Sequence, residues 1–259
     1  MSRSHIEPSK EVSSLLTNLT AQYETPLFLL DDPSMFIHKV KGELNAEAMA
    51  FVASCLSYGN RKQFMPKVDL LLHLSRFEPY GWIMSGSFES DIPDEAKRCF
   101  YRLHSFHHLH QLLSAYKDLI SIYGSIKGFI IKELPHRPIK AIEAIEAITE
   151  YFSKWDIGGL VPRNSRSCCK RLCMFLRWMV RDSSPVDLGL WHDIIDRRSL
   201  IMPLDTHVVS QAKRLGLLDG NSSSMSAALR LTESMRAIFP DDPLKGDFAL
   251  FGYGVNDKK

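Results

Sequence analysis

The chain has 259 residues, 45% of them apolar and 24% charged, which is enough to bury a sizeable core and excludes a largely disordered chain. Its net charge of +2 neither demands nor excludes nucleic acid, so only a local gathering of Lys and Arg can argue for such a partner. No apolar run approaches the roughly 18 residues that span a bilayer, and the odd set Cys55, Cys99, Cys168, Cys169 and Cys173 follows a polar start without a signal sequence, so free thiols in a reducing cytoplasm are expected.

Helical periodicity dominates in chain order. Residues 12–23 place Val12, Leu15, Leu16 and Leu19 on one face. Residues 44–58 are strongly apolar and end at Gly59-Asn60, a small residue and an Asn suited to a helix C-terminus. The next helix carries Pro66 near its start and runs to about residue 77. Gly81, Gly86, Pro93 and nearby acids predict short helices and loops. His104, His107, His108 and His110 form a run, and three of them would share a helix face; no local Cys or carboxylate completes a metal set, so ordinary histidines are the expectation. Helices are predicted over 109–123 and 139–152, a loop over 155–167, and helices over 170–181, from Pro203 to Gly216, over 224–238 and over 243–251. No set of alternating strand-like segments appears, so the class is all-α. Arg163, Arg166, Lys170, Arg171, Arg177 and Arg181 cluster along the chain; by itself such a cluster is more often a solvated helix face than a binding surface.

Pro203-Leu204-Asp205-Thr206-His207-Val208, followed by Arg214-Leu215-Gly216-Leu217, resembles the catalytic-aspartate segment of endonuclease III and its relatives, the helix-hairpin-helix DNA glycosylases. Asp and Thr are also ordinary helix-capping residues, so it is the longer match that carries the likeness. Ala50 through Asn60 (AFVASCLSYGN) is similar to the early helix of those enzymes, whose closing loop wedges into DNA. Cys169 through Trp178 (CKRLCMFLRW) is similar to the helix bearing the catalytic lysine. The chain as a whole resembles a bacterial family of uncharacterised proteins that carries Lys-Arg-Leu-x-x-Phe-Leu-Arg-Trp-Met-Val-Arg and Pro-Leu-Asp-Thr-His-Val.

The resemblance implies a two-lobed helical domain with a cleft between lobes, approximately residues 40–153 and 154–255 plus an N-terminal helix. It implies a monomer that binds double-stranded DNA, flips a damaged base and cleaves its N-glycosidic bond, with AP-lyase activity in addition. Lys170 and Asp205 take the catalytic positions. Tyr58, Asn60, Arg61, Arg163, Arg166, Arg171 and His207 take nucleic-acid-binding positions. Trp178, Trp191 and Phe248 are candidates to hold the flipped base, although aromatic residues at helical spacing are more often core. No cofactor or metal is implied, since the iron–sulfur cysteines of endonuclease III have no counterpart here. One departure stands out: the stretch matching the glycine-containing hairpin of the superfamily is Leu160-Val161-Pro162-Arg163-Asn164-Ser165-Arg166-Ser167, without glycine. Either the arginines bind phosphate in place of backbone N–H groups or the hairpin does not function. The competing expectations are a non-catalytic nucleic-acid-binding protein of the same fold, an unrelated helical enzyme or metal site using His104, His107 and His108, and a helical interaction protein with a large apolar patch.

Overall fold

The computed structural model describes residues 5–220 and 223–256. Its helices are α1 (Lys10–Tyr23), α2 (Glu43–Leu56), α3 (Arg61–Leu74), α4 (Pro79–Met84), α5 (Phe88–Asp91), α6 (Phe106–Tyr123), α7 (Ile126–Glu133), α8 (Ala141–Phe152), α9 (Lys170–Val180), α10 (Thr206–Arg214), α11 (Met225–Ile238) and α12 (Lys245–Asn256). The only strands among the described residues form one antiparallel pair, β1 (Cys99–Tyr101) and β2 (His104–Ser105). The fold is therefore helical, with one small hairpin that the sequence reading did not anticipate. Strands this short carry no readable period-two pattern. No helix among the described residues is long and apolar enough to cross a membrane.

Two helical clusters make up the chain. The first comprises the chain up to Leu30, Pro138–Ile142 and the chain from Ser165 onward. The N-terminal helix, which the sequence reading set apart, belongs to it. Helix α1 buries Leu16 and Leu19 and packs on α12, which also receives α10. Gly252 permits the close approach of α1's end, because a Cβ there would stand 2.6 Å from Cδ2 of the Tyr23 ring.

Two arginines on α9 anchor this cluster from inside. The Arg177 side chain donates from Nε to Asp187 Oδ1 at 3.2 Å and from Nη1 to Asp247 Oδ2 at 2.5 Å. Arg181 is 1% exposed and reaches Asp187, Asp242 and Glu24. Burial alone would lower the Arg181 guanidinium, but the surrounding carboxylates, Asp187 foremost, hold it above its usual range. Thus Arg177 and Arg181 are not part of a solvated or DNA-facing stripe, as their place in the basic stretch suggested. Each is offset by carboxylates, Asp187 from just downstream and Asp247, Asp242 and Glu24 from far along the chain.

The second cluster comprises Asp31–Arg137 and Glu143–Asn164. Helix α2 is its centre, with every residue from 46 to 56 buried. Phe51 stacks on Tyr116 at 5.3 Å and lies 4.9 Å from Phe152; fully burying such a side chain contributes about 1.5–3 kcal/mol. The apolar run hides one carboxylate, Glu47. Its oxygens accept from Ile126 N at 2.6 Å and Lys127 N at 3.1 Å, so the buried charge sits against the first N–H groups of α7. Helix α6 starts with a reciprocal cap between Ser105 and His108 and ends at the left-handed Gly124.

Candidate active site

Lys170 opens α9 and Asp205 precedes α10, both in the first cluster. Helix α9 begins where it does because Cys169 turns the chain with φ 44° and ψ 35°, a left-handed conformation that is uncommon for a residue with a side chain. Leu172, Phe175, Leu176 and Met179 then go inward, leaving Lys170 half-buried at the helix start. Pro203 and Leu204, both buried, run into Asp205. Asp205 Oδ1 accepts from His207 N at 2.9 Å and Val208 N at 2.8 Å. Its second oxygen, Oδ2, lies 3.7 Å from Lys170 Nζ, with side chains 29% and 17% exposed for Lys170 and Asp205. One oxygen of Asp205 thus caps the helix, as one of the two sequence readings expects, while the other faces Lys170.

The surroundings are thiol-rich. Cys168 Sγ donates to Leu204 O at 3.7 Å and Cys173 Sγ to Cys168 O at 3.4 Å. Burial pushes the Cys169 and Cys173 thiols up, which keeps them protonated and poor as nucleophiles or ligands. No group of three His, Cys, Asp or Glu among the described residues is arranged to hold a metal ion. His207 sits on the first turn of α10 with its ring 6.2 Å from that of Phe251. Arg171 follows Lys170 and is half-buried, and Arg166 and Arg163 are exposed on the preceding loop. That loop has no helical hairpin. It is tied instead to the start of α11, through Cys168 N to Ser223 O at 3.2 Å and Met225 N to Arg166 O at 3.3 Å.

The three base-pocket candidates are corrected. Trp178, Trp191 and Phe248 are all buried. Trp191 meets Phe175 edge-on at 5.1 Å. The Phe248 ring is covered by Phe28 at 4.9 Å and by the Arg177 guanidinium at 4.5 Å. None offers a free ring face on which a base could stack.

The remaining sequence-predicted residues lie in the second cluster. Tyr58 is half-buried. Its hydroxyl donates to Tyr101 O at 3.3 Å, and the Tyr101 hydroxyl donates to Tyr58 O at 2.5 Å. Asn60 caps α3 by accepting from Lys62 N at 2.9 Å. Arg61 donates to Asp31 O at 2.6 Å and lies 3.8 Å from Asp32 Oδ2. The expected wedge loop is therefore clamped by its own neighbours. Of the histidine run, His107 is bonded by Asp94 and, at 3.3 Å, by Asp156, while His108 serves as a cap.

Fold and site together define a helical protein in which a lysine and an aspartate at two helix N-termini face each other, partly shielded from water. The chain belongs to the family described as "Protein of unknown function (DUF2400)", whose model matches residues 32–256. No curated protein and no solved structure matches it.

Proposed function

We propose that this protein is a DNA N-glycosylase with AP-lyase activity, related to the helix-hairpin-helix glycosylases. The observation that supports it best is the 3.7 Å separation of Lys170 Nζ and Asp205 Oδ2, which lets both groups reach one sugar carbon. A base in a duplex must first be flipped out, at a cost of about a few kcal/mol. As the C1′–N bond breaks, positive charge builds on the sugar. The free oxygen of Asp205 stabilises that charge, and its position is fixed beforehand by the cap bonds of the other oxygen. After the Lys170 ammonium gives a proton to the facing Asp205 oxygen or to water, its amine attacks C1′. The bond to the base breaks with its electrons leaving on the base, which takes up a proton. The attached nitrogen then loses its remaining protons as O4′ gains one and the ring opens to a Schiff base. β-Elimination then expels the 3′ phosphate, and water releases Lys170.

A base-release assay on duplexes carrying single damaged bases tests this reading. Asp205→Asn and Lys170→Gln are each expected to lower release by about 10²-fold or more, the scale of a lost electrostatic or nucleophilic group, with duplex binding largely kept. Wild-type release by Asp205→Asn would remove the assignment. A second reading, a non-catalytic DNA-binding protein, is favoured by the irregular, glycine-free loop at 160–167. It predicts salt-dependent duplex binding with no release on any substrate.

A further inference from the structure

The tip of the β1–β2 hairpin carries the most exposed large apolar side chain among the described residues. Leu103 is 87% exposed. Arg102 and Leu103 form the connection between the strands, and Arg102 has a φ of 53°, so the tip is a tight turn. Its base is held firmly. The Tyr58 and Tyr101 rings lie 4.9 Å apart and their hydroxyls exchange bonds with each other's backbone. The Cys99 thiol donates to Arg102 O at 3.3 Å. Gly59, at φ 79°, lets the tip close in, since a Cβ there would collide with Arg102 Nη1 and stand 2.9 Å from the Tyr101 hydroxyl.

Cations lie over the rings of the hairpin and of the residues packed beside it. The Arg102 guanidinium lies 5.9 Å from the Tyr58 ring centre, Arg98 lies 4.2 Å from that of Phe106, and the Lys67 ammonium lies 5.1 Å from that of Phe100. Such contacts orient a cation without neutralising it. Of the nearby acids, Glu95 lies 3.8 Å from Arg98 and Asp94 is bonded to His107. A rigid tip with one bare leucine, on a hairpin whose own and neighbouring rings carry cations, matches a polyanion that opens an apolar slot. Duplex DNA does this when a base step is unstacked by a wedge.

We propose that the β1–β2 hairpin is the element that enters duplex DNA, with Leu103 inserted at an unstacked base step and Arg102, Arg98 and Lys67 on the flanking phosphates. This rests on the glycosylase reading and changes its geometry: the wedge is Leu103, and Tyr58 through Arg61 are its support.

The test uses a short duplex with 2-aminopurine beside a tetrahydrofuran abasic analogue, which has no base to release. Binding of wild type should raise 2-aminopurine fluorescence, as should binding of Asp205→Asn. Leu103→Ala and Leu103→Glu should lose that rise and bind this duplex about tenfold more weakly or worse, with unchanged thermal unfolding because the side chain is exposed. Arg98→Ala and Lys67→Ala should keep the rise at saturation and each reduce the salt slope by about one. The proposal is overturned if Leu103→Ala unstacks the duplex as wild type does, or if wild type binds single-stranded RNA of equal length as tightly as the duplex. If base release is absent while the Leu103-dependent rise is present, the catalytic reading alone fails.

Discussion

Asp205 divides its carboxylate between two partners: Oδ1 caps α10 through His207 N and Val208 N, while Oδ2 faces Lys170 Nζ at 3.7 Å. Even for a partly shielded pair of this length, a gain of only about 1 kcal/mol is expected. The cap contributes on the same scale, about 1 kcal/mol.

That division separates two substitutions. Asp205→Asn keeps an acceptor oxygen for the cap and should unfold in urea within about 0.5 kcal/mol of wild type, since Asn and Asp are near-equal caps. Asp205→Ala should lose about 1 kcal/mol. Equal destabilisation by both would mean that the charge facing Lys170, rather than the cap, holds α10 in place.

The buried network around α9 makes a stronger demand. Arg181→Ala leaves Asp187, Asp242 and Glu24 without their shared partner and should destabilise the protein by about 3–5 kcal/mol. Arg181→Lys should also be costly, because one ammonium cannot reproduce the forked donors of a guanidinium. Equilibrium urea unfolding reads both; a loss below about 1 kcal/mol for Arg181→Ala would contradict the network as described.

Much of this architecture was legible beforehand, and the misses have physical causes. Helices α1, α2, α6, α8, α9, α10 and α11 follow apolar stripes or caps that one segment reveals by itself. Arg177 and Arg181 could not be read, because their charge is cancelled by carboxylates supplied from elsewhere in the chain. Glu47 was hidden for the same reason: only the folded position of α7 explains a carboxylate in an apolar helix. The Lys170–Asp205 approach was readable only through resemblance, since 35 positions separate the two residues along the chain. The β1–β2 hairpin offered no signal beyond an unremarkable Arg-Leu pair.

His107 gives a pH prediction. Its bonds to Asp94 first, and then to Asp156, raise its protonation range above the usual 6.5, and Asp94 is lowered from 3.8 chiefly by His107. A group raised in the folded state contributes stability that is fully present below its unfolded value and lost as pH rises through its folded value. Asp94, being lowered, contributes above its unfolded value and loses that contribution as acid protonates it. The stabilisation should therefore be greatest in mildly acidic solution and decline toward alkaline pH. His107→Gln should flatten this decline in thermal melts across that range; an unchanged profile would show that the two aspartates do not hold the ring's proton.

Gly59 supplies a backbone test. Gly59→Ala places a side chain at φ 79° and against Arg102, which should cost about 1–2 kcal/mol. It should also loosen the hairpin, seen as faster amide exchange at β1 and β2 than in wild type. Wild-type exchange there would mean that the hairpin does not depend on the close approach at Gly59.

The catalytic claim meets its most direct test in borohydride trapping. Wild-type protein is incubated with a duplex bearing an abasic site, sodium borohydride is added, and covalent protein–DNA adduct is measured on a denaturing gel. The account predicts an adduct with wild type, little or none with Lys170→Gln, and a peptide map that places the link on Lys170. An adduct of equal yield with Lys170→Gln, or none with wild-type protein that binds the same duplex, would contradict it.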